Sequence, residues 1–133
     1  MKNAPTNPST MHAPLGLYSH AIRVRSGAEW LVIAGQLGVD ASGKTADGFR
    51  NQAEQCLRNI LACLDANEMT SKDLVKLTIY STVPRCMADV RAARQKIMGE
   101  SILPTATLVV VAGLASPEFL IEIEAWAAKS AVA

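Results

Sequence analysis

Two short apolar runs near the C-terminus constrain the fold more than any other part of the chain. They are Leu103-Pro104-Thr105-Ala106-Thr107-Leu108-Val109-Val110-Val111 and Phe119-Leu120-Ile121-Glu122-Ile123-Glu124-Ala125, joined by a loop. The second carries carboxylates inside it. Successive side chains of a strand point to opposite faces, so Glu122 and Glu124 share one face and Ile121 and Ile123 the other. A carboxylate among apolar neighbours needs water, a partner or a chemical task. That face is the first place to look for a site.

The rest of the chain supplies elements that can pack around these strands. Residues 21–25 alternate weakly, and Ser26-Gly27-Ala28-Glu29 has turn chemistry. Trp30 to Ala34 is an apolar run, expected to pair with residues 20–25 as a hairpin. Asp47 is placed to cap a helix. Phe49, Ala53, Cys56, Leu57, Ile60, Leu61 and Leu64 then recur at helical spacing, and Asn67 marks the helix end. Leu74 to Thr82 reads as a strand with Val75, Leu77 and Ile79 on one face, stopped by Pro84. Met87, Val90, Ile97 and Met98 mark a second helix ending near Gly99. The order β-β-α-β-α-β-β is an α+β sandwich, two helices on one face of a mixed sheet. The other sheet face then lacks a cover, and self-association is the simplest one.

Composition narrows the functional classes. Half of the 133 residues are hydrophobic, enough for a real core in one domain, and the formal charge is +1. A near-neutral chain gives no electrostatic case for nucleic acid. No apolar run approaches the ~20 residues of a membrane helix. Residues 1–13, rich in Pro, Asn, Thr and Ser, are expected to be a disordered lead-in to a single domain over 14–133, with Met11 a second candidate start. Cys56, Cys63 and Cys86 form no C-x-x-C pair, which suggests a reducing compartment, the cytoplasm. Cys56 and Cys63, seven apart, are expected to pack in the core. No metal or cofactor motif is present; Gly35-Gln36 lacks the glycines and lysine of a phosphate loop.

Several segments together resemble the reactive-intermediate deaminase (Rid/YjgF, or L-PSP) family. Gly16-Leu17-Tyr18-Ser19-His20-Ala21 is similar to its opening G-x-Y-S-x-A, and Ala34-Gly35-Gln36-Leu37-Gly38-Val39-Asp40 to its S-G-Q-x-x-x-D. Residues 52–60 resemble its first helix and 75–80 its central strand. Pro104-Thr105-Ala106-Thr107 lies where the family has P-x-R-[ST], and Ile121-Glu122-Ile123-Glu124-Ala125 matches its I-E-I-E-A strand. The resemblance implies a chorismate-mutase-like homotrimer with clefts between subunits. It also implies hydrolysis of enamine or imine intermediates, with an arginine holding the substrate carboxylate and a glutamate positioning water.

Carried over, the glutamate is Glu122 and the pocket tyrosine is Tyr18, the two candidate catalytic residues. The arginine position is Ala106, which has neither charge nor donor. The serine before Gly-Gln is Ala34, and a family cysteine is Leu108. These three would form an apolar wall, and the chain would fall in an arginine-lacking branch. Arg91 stands where the family often has asparagine; it is either a relocated anion anchor or a solvated helix residue. Arg94 reads as a snorkelling interface residue. Glu122 is either a water-holding carboxylate or half of an interface salt bridge, and Tyr18 either an acid or a packed aromatic. Two functions follow: an atypical enamine/imine deaminase, or a non-catalytic trimer binding a small, anionic metabolite. A ribonuclease or translation inhibitor, a role attached to parts of the family, fits poorly with neutral charge and no basic-aromatic stripe.

Overall fold

A computed structural model describes residues 3–131. The C-terminal alternation builds its central strand. In β6 (Ile121–Ser130), Ile121, Ile123, Ala125 and Ala127 are fully buried, while Glu122, Glu124 and Trp126 project the other way. β6 pairs antiparallel with β3 (Ala28–Leu37) on one side and β4 (Leu74–Ser81) on the other, and β5 (Thr105–Val110) adds parallel to β4. The sheet order is β3-β6-β4-β5. The parallel β4–β5 pair needs a crossover, supplied by α2 (Met87–Met98).

Helix α1 (Gly48–Ala66) lays its apolar stripe on that sheet. Cys56, Leu57, Ile60 and Leu64 pack with Ile33, Leu77, Ile79, Ile121 and Ile123 in one core, joined by Val90 and Ala93 of α2. Phe49 and Leu61 complete the stripe at its margin. Asp47 occupies the N-cap position, but its side chain caps nothing; its carbonyl instead accepts from Asn51 Nδ2 at 2.9 Å. Asn67 closes the helix, and Gly99 closes α2 at φ +83°. Cys56 is buried and Cys63 half-buried, both as free thiols. Burial, aided by the nearby Glu122 charge, pushes the Cys56 thiol up to about 12, as suits a packing residue.

Three expectations need correction. Residues 4–6 of the supposed lead-in form strand β1 (Ala4–Thr6), antiparallel to β2 (Ala21–Arg23). Proline tolerates this ribbon because either strand is an edge. Side chains pin the segment: Asn3 Nδ2 donates to the Ala128 carbonyl at 2.9 Å, and the His20 N–H donates to Asn7 Oδ1 at 2.8 Å. Met1 and Lys2 lie outside the described residues. Secondly, the 20–25/30–34 hairpin does not form. β2 pairs with β1, and β3 finds its partner in β6, whose ten residues offer a longer ladder. Thirdly, Val75 leaves the row of Leu77 and Ile79, because a register shift between Leu74 and Lys76 puts Leu74 in the core instead.

The sheet face away from the helices is mixed. Val32, Trp126 and Lys76 lie across it in register, as do Glu124 and Thr78, then Glu122 and Tyr80. Trp30 and Trp126, 52% and 42% exposed, meet edge to face at 6.0 Å. Among the described residues no helix is long and apolar enough to cross a membrane.

A polar latch fixes α1 to the strand ends. Gln52, buried, accepts from the Leu120 N–H at 2.9 Å and donates to the carbonyls of Glu118 and Ala46 at 2.9 and 3.2 Å. Asn59 Nδ2 donates to the carbonyls of Leu37 and Val39 at 3.1 and 3.0 Å. Such a latch requires close backbone approach at Gly38, where an added Cβ would stand 2.6 Å from Gln52 Cα. Gly38→Ala is therefore expected to destabilise the fold by about 3 kcal/mol. A urea midpoint unchanged from the parent would show that α1 shifts freely.

Candidate functional site

The segment before β2 is tied across the start of β5. The Ser19 N–H donates to the Pro104 carbonyl at 3.2 Å, and Ser19 Oγ to the Leu103 carbonyl at 2.7 Å. Thr105 Oγ1 in turn donates to the Val75 carbonyl at 2.6 Å, fixing β5 on β4. This clamp holds Leu15 to Tyr18 opposite α2, and a cavity of about 490 Å³ opens between them. Its floor is Ile79, Ala106 and Leu108; its helix wall is Met87, Val90, Arg91 and Arg94; Tyr18 and Gly16 form the rim. The volume suits a small molecule. The Tyr18 hydroxyl is not free, since it accepts from the Leu15 N–H at 3.0 Å and its ring stands edge-on to His20.

The structure thus brings together Tyr18, Arg91, Ala106 and Leu108. It does not bring Glu122 or Ala34 to that cavity within one chain. Both lie at the β3–β6 junction, where the pairing slips between Ile33 and Gln36. There the Glu122 carboxylate covers Gly35: a Cβ at Gly35 would fall 1.9 Å from Glu122 Oε2. Only glycine leaves that space open. Among the described residues Glu122 forms no ion pair. Its neighbour Glu124 is engaged, accepting from the Tyr80 hydroxyl at 2.5 Å. That hydrogen bond, with some burial and the two carboxylate charges, pushes the Tyr80 phenol up.

Arg94 is the residue that sequence reasoning misread. It is 6% exposed, and its Nη2 is sealed from water without an acceptor. Burial, followed by the charge of Arg91, lowers its guanidinium to about 10, still cationic at neutral pH. Arg91, three residues earlier, is exposed and lies beside Gly16, whose Cβ position is 3.9 Å from Arg91 Nη2. Spacing had placed it near the apolar stripe, since Arg94 follows Val90 by four residues on the same helix face; what differs is that its head does not reach water. The buried carboxylate on α1, Glu54, is already taken. It accepts from Lys96 Nζ at 2.9 Å and Arg58 Nη2 at 3.3 Å, and the Lys96 bond chiefly holds its carboxyl below the usual range. Among the described residues no carboxylate lines the cavity.

The arrangement can therefore hold an anion against apolar surface. Among the described residues no cluster of His, Cys, Asp and Glu suits a metal ion. An unpaired buried cation is costly to the empty fold, and apolar replacement removes that cost. Arg94→Met is expected to raise stability in anion-free buffer by about 1–4 kcal/mol. A lowered melting temperature would show that the guanidinium has a counter-charge in the protein in solution.

Comparison with known proteins agrees with this architecture. Residues 9–129 match the family model described as Endoribonuclease L-PSP. A RutC family protein of Pyrococcus horikoshii is 36% identical over 118 residues, 87% of this chain and 90% of that one. The match to a RutC family protein of Aquifex aeolicus, 37% identical over 70 residues, spans only 52% of this chain and 54% of the relative. Among solved structures, a Rid-family protein of unknown function from Yersinia pestis superposes with TM-score 0.86 at 32% identity, covering 97% of this chain and all of that one, 100%. Sequence motifs, α+β topology and these likenesses agree, and the chain belongs to the Rid/YjgF (L-PSP) family.

Proposed function

We propose that the protein binds a small anionic metabolite in the cavity between Tyr18 and α2, and that it does so as a homotrimer. One observation carries this reading: an apolar cavity of about 490 Å³ holds two guanidiniums and no carboxylate. Charge selects an anion, and Ile79, Met87, Ala106 and Leu108 select hydrocarbon attached to it. Trimer formation is supported by the exposed Trp30, Val32 and Trp126 on the sheet face that no helix covers. The clefts between subunits would then include the cavity rim.

Calorimetric titration with small organic acids and the matching amides tests the binding reading. Acids should bind and uncharged amides should not; equal affinity for both would overturn it. Native mass spectrometry at micromolar concentration is expected to show three copies, and Trp126→Lys should disperse them. A parent protein that stays monomeric would remove the cleft.

A second reading, hydrolytic deamination of enamines or imines, rests on the unpaired Glu122 above Gly35. It requires a neighbouring subunit to carry that carboxylate to the cavity. Ala106 supplies none of the charged hydrogen bonds of an arginine at that position, worth about 1.5–3 kcal/mol each. We expect 2-aminoacrylate generated in situ to turn over at least ~100-fold more slowly than with an arginine-bearing relative, as two such bonds imply. Turnover equal to the relative's, abolished by Glu122→Gln, would establish the deaminase instead.

A further inference from the structure

We infer that Arg94 is the cavity's anion anchor, and that the ligand is a monocarboxylic acid whose short apolar chain points away from α2 toward Ala106 and Leu108. The inference rests on the binding reading above and names both the residue and the orientation. Arginine stays charged under all ordinary conditions, so a buried guanidinium must find an acceptor or carry the cost of lacking one. Among the described residues Arg94 has none: its Nη2 is inaccessible to water and unbonded, while its side chain lines the cavity. The one buried carboxylate near α2, Glu54, is held by Lys96 and Arg58. A ligand acid group is the missing acceptor: it would draw Nη2 out of its sealed position into the cavity, where a planar carboxylate matches the guanidinium fork. Arg91 is exposed at the rim, where solvent screens its pull, so it contributes attraction more than grip.

The opposite wall fixes the orientation. Ala106, Leu108 and Ile79 offer methyl and methylene surface and no donor. With the cation on the helix and the apolar floor on the sheet, an acid enters with its carboxylate toward α2 and its chain on β5. In the arginine-bearing pattern described above the cation stands at position 106, so the ligand here lies reversed. The small Ala106 leaves the room that chain occupies.

Titration calorimetry on the purified full chain, with acetate, butanoate, 4-methylpentanoate and butanamide as probes, tests this. Affinity should rise by roughly fourfold per added methylene, and butanamide should not bind. Arg94→Met should lower butanoate affinity by roughly 10–100-fold, the worth of one charged hydrogen bond. Arg91→Met should cause a smaller loss. Ala106→Arg should erase the preference for longer chains, since the new side chain fills their place. Should Arg94→Met not fold, Arg94→Lys keeps the charge but not the fork and should still weaken butanoate clearly. Acid binding unaffected by either Arg94 variant, or lost chiefly through Arg91→Met, overturns the anchor while leaving the binding reading intact. A chain-length preference that survives Ala106→Arg overturns the orientation. If none of the acids binds the parent protein, the binding reading and the anchor fail together.

Discussion

The structure depends on one strand that must satisfy two environments at once. β6 runs through the middle of the sheet, bonded on both edges, so it cannot rotate or slip without breaking two ladders. A one-residue slip would exchange Ile121, Ile123 and Ala125 for Glu122 and Glu124 beneath helix α1. Carboxylates there would face Leu57, Ile60 and Leu64, with no partner. The register of the whole sheet is therefore set by the isoleucines, and the position of every other element follows from it. Gln52 reads the same register from the helix side through its bond to Leu120.

That constraint was legible in the sequence because alternation and helical spacing are local patterns. The α1 stripe, the end at Asn67, the α2 span and the faces of Glu122 and Ile123 all came from such patterns. What escaped was non-local. β3 pairs with a strand about ninety residues away rather than its neighbour, and nothing in residues 20–34 announces that choice. The N-terminal ribbon relies on Asn3 and Asn7 reaching distant backbone atoms, which composition alone reads as loop. The shift at Val75 depends on a bulge that has no sequence mark.

The site divided along the same line. Tyr18, Arg91, Ala106 and Leu108, placed together by family resemblance, do meet in one cavity. Ala34 and Glu122 were grouped with them by family resemblance, and within one chain they sit across the sheet. The register of β5 on β4 explains this, because Ala106 and Leu108 pair beside Leu77 and Ile79 on the helix side while Glu122 faces away. Arg94 was misread for a different reason. Its spacing from Val90 put it near the apolar stripe, and a long side chain there is expected to snorkel; three-dimensional packing shows that this one is instead enclosed and unmatched.

The open sheet face has one further consequence. The chain contains two tryptophans, Trp30 and Trp126, and both stand on that face in edge contact. Neither lines the cavity beside α2. Tryptophan emission of the native protein thus comes from a single location, away from the cavity beside α2. Its wavelength responds to whether that sheet surface is wet or dry, which makes the chain its own optical gauge of whatever covers that face, with no label attached.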